Sequence, residues 1–150
     1  MLVAAGACAL VAAPADAART EQQLVTPPGP FAAVAKSLVT IDAPLPASVT
    51  GAPDACQQLQ YYRYRRAAGP TDPQQSDAVF VNMPGVLAGS GSLEMNALEV
   101  VQDAADSGGS VEVWALNRRS NCLEDHTGLQ AAAAAKDAGV ALDYYLHGVP

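Results

Sequence analysis

DAVFVNMPGVLAGSGSLEMNALEVVQDAADSGGSVEVWALNRR, residues 77–119, is the stretch on which the reading of this chain turns. Its first seven residues, Asp77 to Met83, form a short, almost continuous apolar run bounded by turn-forming residues. Such a run predicts a central strand buried on both faces. Pro84 to Gly91 follows as a glycine-rich loop, and Ser92 is placed to cap a helix. Leu93, Ala97, Val100, Val101 and Ala104 recur at helical spacing, while Glu94, Glu99, Gln102, Asp103 and Asp106 fall mostly off that stripe. Gly108-Gly109 stops the helix, and Val111 to Leu116 is the next strand. Strand, helix and strand of these lengths predict an α/β fold built on a mostly parallel sheet with flanking helices.

Working outward, residues 59–66 (LQYYRYRR) alternate and are rich in strand-favouring aromatics. They predict a strand with one wetter face, in an antiparallel or edge position. Residues 18–53 are rich in Pro, Ala, Thr and Gln, stiffest at Thr26-Pro27-Pro28-Gly29-Pro30, and read as a linker or extended arm. Within them Phe31 to Val39 forms a short helix or a strand, and the residues do not choose between the two. On the far side, Ala131 to Ala135 with Lys136 predicts a second helix, with Gly128 near its start and Gly139 as its stop. Val140 to Leu146 is a further short element.

Leu2 to Ala13 is an uncharged run of small and apolar residues followed by Ala15-Asp16-Ala17, the small–x–small pattern of a cleaved export signal. It is shorter than the ~20 residues a spanning helix needs, so no stable membrane span is expected. The division is therefore a signal peptide over 1–17, an arm over 18–53 and an incomplete α/β domain over 54–150, in a secreted or cell-envelope protein. Fifteen acidic residues against eight basic ones give a net charge of −7, which repels nucleic-acid phosphates and excludes that class of partner. Arg63, Arg65 and Arg66, and then Arg118 and Arg119, read as solvated strand ends. Without the signal segment two cysteines remain, Cys56 and Cys122, and in an oxidising compartment an even pair predicts a disulfide. Closing that loop contributes about 4 kcal/mol in the chain-entropy model.

In parallel α/β sheets the loops at the carboxyl ends of strands build the site, here Pro84 to Gly91 and Asn117 to Gly128. The first ends at a helix N-terminus, whose N–H groups can face a phosphate or the oxyanion of an acyl-transfer intermediate. Equally, its glycines serve a tight turn and close packing, and the pattern leaves both readings open. Gly85, Gly89 and Gly91 do not match G-x-G-x-x-G, and no Lys follows Gly91-Ser92 as a phosphate-binding P-loop requires. Asn117-Arg118-Arg119 keeps an NADP-type alternative, since basic residues at a strand end suit a 2′-phosphate. Glu124, Asp125 and His126 are adjacent, and adjacent residues rarely point at one metal ion.

Residues 77–128 resemble the opening of the α/β-hydrolase fold, and their wording is close to exported actinobacterial members of that superfamily. The resemblance implies an ester, thioester or amide hydrolase, acting by nucleophilic acyl transfer on a small-molecule or lipid-like substrate without a cofactor. It places the oxyanion donors on the backbone of Gly85, Val86 and Leu87, with Met83-Pro84-Gly85 standing where the family has a His-Gly pair. The family's nucleophile lies in a G-x-S-x-G elbow after the next strand, followed by an acid and a late histidine. No G-x-S-x-G occurs in the 150 residues, so no catalytic residue is assigned within them. A non-catalytic, hydrolase-like exported protein is the remaining alternative.

Overall fold

A computed structural model describes residues 18–25, 29–85 and 88–148. The signal segment over 1–17 lies outside the described residues, as do Val86 and Leu87. Five strands are present: β1 (Arg19–Leu24), β2 (Val34–Asp42), β3 (Gln58–Arg66), β4 (Ala78–Asn82) and β5 (Val111–Leu116). They form one sheet in the order β1-β2-β3-β5-β4. Three helices accompany them: α1 (Glu94–Asp106), α2 (Thr127–Ala135) and α3 (Ala138–His147).

The expected mostly parallel sheet is not what forms. β1–β2, β2–β3 and β3–β5 pair antiparallel, and β4–β5 alone is parallel. The crossover unit that suggested a parallel sheet is real, as β4, α1 and β5, but it is one unit at the end of an antiparallel meander. Much of that meander comes from the segment read as an arm. Residues 19–42 supply two strands of the sheet, and Phe31 to Val39 resolves as the lead into β2 and its first six residues.

The run from Asp77 to Met83 was expected at the centre of the sheet and lies at its edge. In β4, Phe80 is 51% exposed and Val81 57%, because only β5 lies beside it. Conversely β3 is antiparallel as expected but central, flanked by β2 and β5. Its alternation divides two environments. Tyr62 and Tyr64 pair with Ala115 and Val113 on the face that α1 covers. There Val34, Tyr64, Val113 and Ala115 meet Ala97, Leu98 and Val101 of α1 in the apolar core.

Tyr61, Arg63 and Trp114 point to the opposite face, and burial there is polar. Arg63 is 2% exposed and Glu112 1%. Arg63 Nε and Nη2 donate to the two carboxylate oxygens of Glu112 at 2.8 and 2.5 Å, and Nη2 also reaches Thr71 O at 2.7 Å. Trp114 Nε1 and Ser76 Oγ add donors to the same carboxylate. Glu21 from β1 receives Arg63 Nη1 at 3.2 Å and Ser37 Oγ at 2.6 Å. The solvated end expected for Arg63 is therefore corrected: its partners, Glu112 and Glu21, lie 49 and 42 residues away in sequence.

α1 begins one residue later than the cap at Ser92 suggested. Ser90–Leu93 is a 3-10 turn, and the Ser92 hydroxyl bonds back to Gly89 O at 2.8 Å. At the other end the chain turns at Gly108, whose φ of +83° favours glycine, in line with the expected stop. α2 ends at Lys136, which takes the left-handed conformation at φ 54°, and Gly139 falls inside the first turn of α3 instead of stopping α2. α2 and α3 pack mainly on one another, with the Tyr144 ring over Gly128.

Candidate functional site

The carboxyl end of β5 opens onto a cleft of about 530 Å³ on the α1 side of the sheet. Its walls come from three places. The Gly89–Gly91 turn leads into α1, the segment from Asn117 to His126 leaves β5, and Gln58 to Tyr62 opens β3. Asn117 joins two of these walls. Its N–H bonds to Gln60 O at 2.9 Å, and its side-chain Oδ1 accepts the Ser90 N–H at 2.9 Å. Ser90 is 2% exposed, and its hydroxyl makes no hydrogen bond among the described residues.

The expected disulfide forms, Cys56 to Cys122, with Cα atoms 5.1 Å apart. It ties the 3-10 turn Asp54–Gln57 to the 3-10 turn Arg119–Leu123. Cys122 itself lines the cleft, so the bridge holds the wall that β5 would otherwise leave as a loose loop.

Of the oxyanion-loop residues, Gly85 is exposed beside the buried Pro84, and Val86 and Leu87 fall outside the described residues. The Ser90 N–H is committed to Asn117 and is not a free donor. Arg118 and Arg119, expected as solvated ends or phosphate ligands, are turned to backbone carbonyls. Arg118 Nε and Nη2 reach Pro84 O at 3.3 and 3.2 Å, and Arg119 Nη1 reaches Ala43 O and Cys56 O, each at 2.7 Å.

His126 and Glu124 stand at the rim, 3.5 Å apart between Nε2 and Oε2, and both are exposed. Glu124 also accepts from the Asn121 amide. No hydrogen bond joins Ser90 to His126 among the described residues, so Ser90, His126 and Glu124 share a cleft without forming a nucleophile–base contact. Asp125 faces away from them. Thr127 N–H and the Tyr144 hydroxyl bond to its carboxylate and hold it below the usual aspartate range, while Asp125 pushes the Tyr144 phenol up. His147 is exposed beside Asp143 at 3.3 Å, a surface position as its sequence context suggests. Among the described residues no group of three or more His, Cys, Asp or Glu is placed to hold a metal ion, and no helix is long and apolar enough to cross a membrane.

In the sequence Asn117 stands out only with Arg118 and Arg119 at a strand end, and Ser90 only as one residue of the 84–91 loop. The signal for their pairing is the fold itself, since 27 residues separate them. Comparison with protein-family models, with curated proteins and with solved structures finds no match to any.

Proposed function

We propose that this chain is the amino-terminal part of an exported hydrolase that cleaves an ester, thioester or amide bond by nucleophilic acyl transfer. The 84–91 loop supplies the oxyanion side, and sequence following Pro150 supplies nucleophile, acid and base. One observation carries the reading: β4, a glycine-rich loop, α1 and the parallel β5 form a contiguous unit, and a polar cleft lies where the Gly89–Gly91 end of that loop meets the carboxyl end of β5. Backbone donors at such a strand-to-helix junction stabilise negative charge on an acyl-transfer intermediate.

The test uses the protein with its downstream coding sequence, assayed on p-nitrophenyl esters and with a fluorophosphonate label. Val86→Pro, which deletes one loop N–H, lowers kcat by about 10²–10³-fold at unchanged melting temperature. A wild-type kcat in that variant sinks the assignment of the loop. The 150-residue chain alone is expected to show neither turnover nor labelling, and a phosphonate adduct on it would refute the division of the site.

A further inference from the structure

We infer that the cleft between the Gly89–Gly91 turn and the segment after β5 is a binding site for an uncharged, hydroxyl-rich ligand, such as a polyol or a sugar ring. Its volume, about 530 Å³, falls within the range of small-molecule sites. The lining is rich in side-chain amides, from Gln58, Gln60, Asn117 and Asn121, with Ser90 and the aromatic Tyr62 beside them. Amides both donate and accept, which matches hydroxyl groups that do the same.

Two of these groups are left with capacity to spare. Asn117 Oδ1 is fixed on the Ser90 N–H, so its amide is oriented and Nδ2 remains as a donor without a partner among the described residues. Ser90 is 2% exposed, yet its hydroxyl is not sealed as the Tyr64 hydroxyl is, and it too lacks a partner among the described residues. A ligand hydroxyl that reaches both groups from the cleft adds hydrogen bonds that the protein itself does not make. One ligand hydroxyl placed between them accepts from Asn117 Nδ2 and exchanges a bond with Ser90 Oγ.

The cleft also holds charge of both signs, Arg118 and Arg119 against Glu124, and the arginines' bonds run to the Pro84, Ala43 and Cys56 carbonyls, so the side-chain amides and not a charge pair carry the fit to a neutral hydroxyl ligand. This site shares the cleft and the Gly89–Gly91 turn with the acyl-transfer reading, and the two are told apart because binding is measured without turnover.

The experiment is an amide-resolved NMR titration of the full chain with glycerol, myo-inositol and D-glucose, and in parallel with sodium phosphate and sodium acetate. Saturable shifts at Ser90, Asn121 and the Asn117 side-chain amide with at least one of the three neutral probes are expected. Asn117→Asp keeps an acceptor for the Ser90 N–H but loses the free donor, and weakens binding about tenfold, the loss of one hydrogen bond. Ser90→Ala, which removes only the hydroxyl, weakens it in the same direction and covers the case in which the Asp variant fails to fold. Saturable shifts with phosphate or acetate in place of the neutral probes would overturn the inference, as would no saturable shift with any probe. Neutral-probe binding indifferent to both variants would overturn it too.

Discussion

Removing one partner of the Arg63–Glu112 pair is the sharpest perturbation the fold offers. Glu112 is 1% exposed and accepts four side-chain hydrogen bonds, two from Arg63 and one each from Trp114 and Ser76. Glu112→Gln keeps the shape, but its NH2 group replaces an oxygen that faces two donors, and it strands the Arg63 charge at 2% exposure. Loss of one member of a buried pair costs about 3–5 kcal/mol. Glu21 offsets part of this, since its carboxylate also takes Arg63 Nη1, although that side chain is 29% exposed and screened by solvent. Arg63→Met leaves Glu112 with its charge unpaired and falls in the same range.

If the two losses added, the double variant would lose about 6–10 kcal/mol, a large part of a typical domain stability of about 5–15 kcal/mol. The structure predicts otherwise. Arg63→Met with Glu112→Gln removes both charges and leaves either the Trp114 N–H or the Ser76 hydroxyl facing the new amide NH2, a loss of about 1–3 kcal/mol. Urea unfolding followed by the fluorescence of Trp114, the single tryptophan, measures all three. pH adds a second readout. Burial pushes the Glu112 carboxyl up, but hydrogen bonds from Arg63, Trp114 and Ser76 and the Arg63 charge more than offset it, so the net shift is downward. A depressed carboxyl contributes stability that is present above its unfolded value near 4.5 and is lost as pH falls through the lower folded value. The acid limb of the stability profile should therefore flatten in Glu112→Gln. A single-variant loss below about 1 kcal/mol, or a double variant equal to the sum of the singles, refutes the account of a coupled buried pair.

Two further outcomes follow from local features. Peptide mapping without reductant should recover Cys56 and Cys122 in one linked species, and Cys56→Ser with Cys122→Ser should cost about 4 kcal/mol in urea unfolding; free thiols at both positions in the folded protein would refute the bridge. Tyr64→Phe should raise stability by about 1 kcal/mol, because the ring stays in the core and a sealed hydroxyl with no partner is deleted; burial, ahead of the nearby Glu94, already pushes that phenol up, and a destabilised variant would mean that the hydroxyl is bonded.

Local chemistry was legible where a residue's neighbours in sequence are its neighbours in space. The stripe from Leu93 to Ala104 gave α1, the alternation of residues 59–66 gave β3, and the glycines at 108–109 marked a turn, since each depends on periodicity or backbone freedom within one element. What failed was pairing. Whether Val79 lies beside Glu112 in a parallel ladder, or Arg63 beside Trp114 in an antiparallel one, is decided by strands tens of residues apart. Arg63 looked solvated because Glu112 and Glu21 are distant in sequence, and Ser90 looked incidental because Asn117 is. The disulfide was readable for a different reason: with the signal segment set aside, two cysteines allow one pairing.

β4 shows what remains in tension between composition and position. From Ala78 to Gly85 the chain carries no charge, and on this ground the strand reads as central. It stands instead at the sheet edge, with Phe80, Val81 and Met83 each more than half exposed. Edge strands are ordinarily guarded by charge, a bulge or proline, and no such guard falls between Ala78 and Asn82, while Pro84 comes after the strand has ended. The conflict is physical: the ladder to β5 satisfies one edge of β4, while its other edge and the Phe80, Val81 and Met83 side chains are left to solvent.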